Sequence, residues 1–85
     1  MADPNPDWTV YMLRCADGTL YTGIARDAAA RLAAHNAGRG AKYTRARRPV
    51  ALVWSEPAPC RSSASKREWA IKRLRRTEKL ALLNA

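Results

Sequence analysis

The period of apolar and polar residues changes several times along this chain, and each change marks an element. Trp8 to Leu13 (WTVYML) is dense in β-branched and aromatic types and predicts a strand. Alternation puts Trp8, Val10 and Met12 on one side and Thr9, Tyr11 and Leu13 on the other. Asp17-Gly18 is a turn signal, and Leu20 to Ile24 (LYTGI) returns as a second strand, completing a hairpin. Gly23 is unexpected inside a strand; it implies a bulge or a close approach to the backbone. From Asp27 the period becomes helical: Asp27 can cap AAARLAAHNA, which Gly38 closes. GRGAKYTRARRP (residues 38–49) predicts a basic loop with room for one helical turn. Val50 to Trp54 (VALVW) is a third strand, expected to end before Pro57 and Pro59.

Ser62, Ser63 and Ser65 crowd the next helix start, and Ser65 with Glu68 has capping-box spacing. The helix presents Ala64, Ile71 and Leu74 as a core stripe, with Glu68 beside it. Thr77 can cap a last short helix carrying Leu80 and Leu83. Residues 1–7, with two prolines and two aspartates, read as a loose, flexible leader. Residues 8–85 are then a single domain of order β-β-α-β-α-α.

Composition narrows this picture. With 85 residues the chain fits one domain and buries about 60–65% of its unfolded surface, so the core is thin. The apolar fraction is 47%, but 17 of the residues are alanine, which leaves the packing to three tryptophans, three tyrosines and the aliphatics. Periodic apolar segments argue against disorder, and no run approaches the roughly 20 residues of a membrane span. Neither a signal segment nor a cysteine framework is evident. Cys15 and Cys60 are expected to be free thiols in a reducing cytoplasm.

The net charge of +9 is unevenly placed. Residues 1–38 hold three arginines against four aspartates, a net of −1, whereas residues 39–85 hold 13 cations against three glutamates, a net of +10. Twelve of the 16 basic residues are arginine, which meets a phosphate with two parallel hydrogen bonds. Such a field attracts a polyanion and points to nucleic acid. An anionic membrane surface is the competitor, but no basic helix here carries a broad aromatic apolar face.

Few residues could do chemistry. Glu68 lies toward the core side of the most cationic helix, with Lys66, Arg67, Lys72, Arg73, Arg75 and Arg76. It could pair with Lys72 one turn on, cap the helix start, or hold a Mg²⁺ ion, which accepts one or two carboxylates and keeps its waters. Arg31 and His35 share a helix face; they are either surface groups or part of a site facing Tyr11 and Tyr21. Those tyrosines are core or edge aromatics unless a neighbouring arginine and metal ease loss of a phenol proton. Phosphate-loop, CxxC and GxSxG motifs are missing, and GRG at 38–40 follows a helix rather than a strand, the wrong context for a nucleotide loop.

Taken together, these residues resemble the GIY-YIG nuclease superfamily, and within it the small stand-alone bacterial UPF0213 (YhbQ-like) type. Thr9-Val10-Tyr11 corresponds to the first half-motif and Tyr21-Thr22-Gly23 to the second. Arg31 follows Gly23 by eight residues, His35 comes one turn later, and Glu68 falls within SKREWAIKRL. HNAGRGAKYTRARRPV at 35–50 is similar to a segment characteristic of that type. The likeness covers about residues 8–83, with Thr9 and Thr22 in place of the usual glycine and isoleucine. It implies an α+β fold, a small three-stranded antiparallel sheet flanked by helices.

It also implies roles. Tyr11 and Tyr21 would line the active site, with Tyr11 helping to deprotonate a water, and Gly23 would let the strand pass close to them. Arg31 would stabilise the phosphate, His35 would move a proton or touch the phosphate, and Glu68 would hold one Mg²⁺ or Mn²⁺ ion. The expected activity is endonucleolytic cleavage of DNA, structure-directed, with RNA as an alternative substrate. Nucleic-acid contacts are expected from Arg39, Lys42, Tyr43, Arg45, Arg47, Arg48, Lys66, Arg67, Lys72 and Arg73. Since 85 residues leave no room for a separate DNA-binding domain, target choice falls to this basic half or to a protein partner. The rival functions are a non-catalytic nucleic-acid-binding accessory protein that keeps the fold, and a partner-binding adaptor.

Overall fold

A computed structural model describes residues 8–84; the expected leader at 1–7 lies outside the described residues. Three strands, β1 (Trp8–Arg14), β2 (Leu20–Ala25) and β3 (Ala51–Ala58), form an antiparallel sheet in the order β2-β1-β3. The helices are α1 (Ala28–Asn36), α2 (Lys42–Arg45), α3 (Arg61–Lys72) and α4 (Arg76–Leu83). The α+β class and the strand and helix order agree with the sequence reading, with α2 as the helical turn inside the basic loop.

Burial of β1 on both faces explains its composition. Val10 and Met12 face Ala58, Ala64 and Ile71, with Trp8, Leu20, Ile24, Val53, Trp54, Leu82 and Leu83 around them. On the other face Tyr11 and Leu13 join Cys15 and Val50, backed by Tyr21, Ala25, Ala28 and Leu32. The alternation therefore feeds two thin layers, one closed by α3 and α4 and the other by α1. Ile71 is fully buried between α3 and the sheet. We expect Ile71→Ala to cost about 2–5 kcal/mol, read as a lower urea midpoint with unchanged slope.

Local signals account for most boundaries. Gly18 and Gly38 take φ of 86° and 83°, the left-handed values that the hairpin turn and the end of α1 require. Asp27 Oδ1 accepts the Ala30 amide at 3.0 Å and starts α1 as expected. Four expectations need correction. β3 does not stop at Trp54 but runs through Pro57, because an edge strand paired only to β1 tolerates a residue without an amide hydrogen. The bulge is not at Gly23, which pairs in register with Tyr11; the register shift falls between β1 and β3, after Met12. α4 begins at Arg76, not after a Thr77 cap, and Glu78 Oε1 accepts the Arg75 amide at 3.0 Å instead. Likewise α3 starts at Arg61, with none of Ser62, Ser63 and Ser65 as its cap. Cys15 is buried and Cys60 exposed, and both are free.

Candidate active site

The hairpin register creates the site. Tyr11 and Gly23 are cross-strand partners, and the Tyr11 ring lies over the glycine: a Cβ there would stand 2.5 Å from Tyr11 Oη and 2.7 Å from Cζ. The close approach that Gly23 implied is therefore to Tyr11 itself. Tyr21, two residues earlier on β2, points to the same face.

Above these rings, α1 supplies Arg31 and His35 one turn apart. His35 is fully buried. Its Nε2 lies 3.0 Å from Tyr11 Oη, and its ring meets that of Tyr21 edge-on, centroids 5.4 Å apart. On the far side, His35 Nδ1 is 2.8 Å from Thr44 Oγ1 of α2. Gly40 passes so close to the imidazole that any side chain there would collide with His35 Nδ1. Asn36 fixes the end of α1 by pairing with both backbone groups of Val50, at 3.0 and 2.8 Å.

Two further elements close in. Tyr43 of α2 stacks on Tyr21 with centroids 5.9 Å apart, and the Arg47 guanidinium sits 4.0 Å from the Tyr43 ring centre. From α3, Glu68 pairs with Lys72 at 3.2 Å, and the Lys72 ammonium lies 5.7 Å from the Tyr21 centroid. Glu68 retains 23% side-chain exposure, so the carboxylate is half-buried and still open to a ligand.

Burial pushes the Tyr11 phenol above the ordinary tyrosine range; Arg31 acts in the opposite direction, while Tyr21 and Glu68 add to the rise. Desolvation therefore outweighs the arginine. Burial, and then the positive charge of Arg31, lower the His35 pKa from its ordinary 6.5, so the imidazole is neutral near pH 7. A lowered folded-state pKa means that the unfolded chain takes up this proton first as pH falls. Folding stability from this group is thus complete above pH 6.5 and declines below it. Urea titrations across roughly pH 5–8 should show that decline, and His35→Asn should flatten it.

The expected contact residues divide into several groups. Arg39, Lys42, Arg45 and Lys66 are exposed. Arg47 bridges to Asp17 at 3.0 Å and donates to the Tyr43 carbonyl at 2.8 Å. Arg48 donates to the carbonyls of Arg45 and Asn36, tying down the basic loop. Arg67 pairs with Glu56 at 2.9 Å. Arg73 lies 4.5 Å from the ring centre of Trp69, which is 62% exposed. Thr44, Gly40 and Asn36 were missed from sequence: periodicity gives no sign that a threonine in a basic loop is fully buried. Among the described residues no three histidine, cysteine, aspartate or glutamate side chains gather as a metal cage, which leaves Glu68 as the lone carboxylate of the cluster.

Comparison with known proteins places this arrangement. Residues 7–81 match the GIY-YIG catalytic domain. The chain belongs to the GIY-YIG family. A UPF0213 protein of Desulfotalea psychrophila is 56% identical over 81 residues, covering 94% of this chain and 74% of the relative. A UPF0213 protein of Staphylococcus aureus is 53% identical over 74 residues, covering 87% and 90%. Among solved structures, the solution structure of a UPF0213 protein from Bacillus halodurans is 40% identical with a TM-score of 0.59, covering 91% of this chain and 82% of that one. A second solution structure, of a protein from E. faecalis, is 38% identical with a TM-score of 0.61, covering 99% and 88%. GIY-YIG nucleases act on DNA, and a nucleic-acid partner is consistent with the +10 half of this GIY-YIG chain. Among the described residues no helix is long and apolar enough to cross a membrane.

Proposed function

We propose that this protein is a metal-dependent endonuclease that hydrolyses phosphodiester bonds in DNA. The observation that carries the reading is the convergence of three chemistries on one atom. Tyr11 Oη is hydrogen-bonded to His35, and its proton affinity responds to both Arg31 and Glu68. In the proposed step, a water gives its proton to Tyr11 Oη as the phenol proton passes to His35 Nε2. The water oxygen bonds to phosphorus and the bond to the leaving oxygen breaks, that oxygen taking a proton from solvent. Arg31 offsets charge on the phosphate oxygens. A single, half-buried carboxylate suits Mg²⁺ or Mn²⁺, which keep most of their waters, better than a tetrahedral metal. Held by Glu68 once Lys72 moves aside, such an ion would polarise the phosphate and the leaving oxygen.

The exposed cations of the loop and of α3 would hold the substrate backbone. Contacts to the backbone carry no sequence information, so this mode of holding favours recognition of a DNA shape, with a protein partner narrowing the target. The test is nicking of duplex, flapped and branched DNA, and of matched RNA, by highly purified protein with Mg²⁺ and with chelator. Magnesium-dependent cleavage supports the reading, and equal activity in Arg31→Ala would assign the cleavage to a contaminant. The Glu68–Lys72 pair favours a second reading, a non-catalytic accessory protein that binds nucleic acid. That protein would show salt-sensitive binding unaffected by Glu68→Ala and no cleavage in any metal.

A further inference from the structure

We propose that Thr44 is a positioning residue that fixes His35 as the Nδ1–H tautomer and so leaves Nε2 bare to receive the Tyr11 proton. The inference rests on the nuclease reading for its catalytic consequence, but not for the tautomer itself. Thr44 is fully buried, as is His35, so every proton between them needs an acceptor within the protein. Thr44 Oγ1 lies 2.9 Å from the Ala41 carbonyl, and a carbonyl can only accept. The single hydroxyl proton therefore points there, in the back-bonded geometry common for threonine in a helical turn. The same oxygen is 2.8 Å from His35 Nδ1, and with its proton committed it can only accept, which makes Nδ1 the protonated nitrogen.

The other end of the chain of bonds agrees. Tyr11 is 2% exposed, and its phenol needs an acceptor for its own proton. Among the described residues, the acceptor within reach of Tyr11 Oη is His35 Nε2 at 3.0 Å, since Arg31, which also interacts with the phenol, can only donate. A neutral imidazole carries one N–H, so protonation at Nδ1 leaves Nε2 with the lone pair that this bond requires. The direction is then Tyr11 to His35 to Thr44 to the Ala41 carbonyl, and no buried side-chain polar atom among the described residues lacks a partner. This is not the tautomer that a free histidine favours, so something must hold it. Gly40 contributes by letting the loop lie directly on the ring, bringing α2 within reach. With Nε2 protonated instead, His35 could not accept from Tyr11, and the water would lose its route for the proton.

The chain has one histidine, so its ring nitrogens can be observed without ambiguity. Long-range ¹H–¹⁵N spectra of the full-length protein at neutral pH should show Nδ1 protonated and Nε2 bare. Thr44→Ser should preserve that pattern, and Thr44→Val should move the population toward Nε2–H while the backbone spectrum stays dispersed. In the nicking assay we expect Thr44→Val to lower kcat by roughly 10–100-fold at unchanged KM, with Thr44→Ser close to wild type. Nε2 protonation in the wild type overturns the proposal, as does a Thr44→Val protein with the wild-type tautomer and rate. If the wild type cleaves nothing, the nuclease reading fails, and the spectra still decide the role of Thr44.

Discussion

Glu68→Gln is expected to remove metal-dependent nicking while leaving the fold and the affinity for DNA in place. The substitution keeps the size of a half-buried side chain and removes the charge that a divalent cation needs. Lys72 loses its ion pair, but that pair is 49% exposed on the lysine side, so its contribution to stability is small. Freed from its partner, the lysine adds a positive charge beside Tyr21, so binding should hold or tighten slightly. We expect kcat to fall by at least about 10²–10³-fold, the range seen when one stabiliser of developing charge is lost. Arg31→Ala should cost a similar factor through the phosphate. It should also raise the His35 pKa toward 6.5, since Arg31 contributes to its depression. Mg²⁺ titrations of cleavage beside filter binding separate the two effects. Loss of binding in Glu68→Gln would place Glu68 in the fold or the docking surface instead of the chemistry.

Gly23→Ala is the second large effect. The added methyl would meet Tyr11 Oη at 2.5 Å and Cζ at 2.7 Å, closer than non-bonded atoms approach. Tyr11 is buried and carries the bond to His35, so the ring cannot move without breaking it. We expect a loss of about 1–3 kcal/mol in stability from overpacking. Cleavage should fall more than stability, because the displaced phenol no longer meets His35 Nε2. Removing the hydroxyl in a Gly23→Ala, Tyr11→Phe double variant relieves the Oη clash and leaves the one at Cζ. Part of the stability should therefore return with no activity, and the two changes should be non-additive. Thermal melts and single-turnover rates of the four proteins complete that cycle.

The legible parts of this protein follow from one-dimensional signals with a direct physical cause. β1 announces its two buried faces because apolar residues occupy both phases of its alternation, and α1 announces its ends through Asp27 and Gly38. The ordered set Tyr11, Tyr21, Gly23, Arg31, His35 and Glu68 is readable as well. The structure gathers the tyrosines, arginine and histidine around one phenol, with Glu68 near enough to affect it. What was not legible depends on neighbours distant in sequence. Pro57 looks like a strand terminator until β3 is known to be an edge. Thr44 looks like one more polar residue in a basic loop until α2 folds back on His35. Charge counting likewise cannot show that Arg47 and Arg67 already have carboxylate partners, Asp17 and Glu56. The basic surface is therefore narrower than the +10 count implies, and of the expected contacts Arg39, Lys42, Arg45, Arg48, Lys66, Lys72 and Arg73 are exposed.

The central claim is that Glu68, Arg31 and Tyr11 act on one phosphate. A crystal structure of the protein with Mn²⁺ and a short DNA duplex tests it most directly, since manganese can be located by its anomalous signal. The account expects one manganese peak bonded to Glu68, with Lys72 displaced. The phosphate it touches should also contact Arg31 and face Tyr11 Oη. A Glu68 still paired with Lys72 and free of metal, with the duplex seated away from Tyr11, would contradict it.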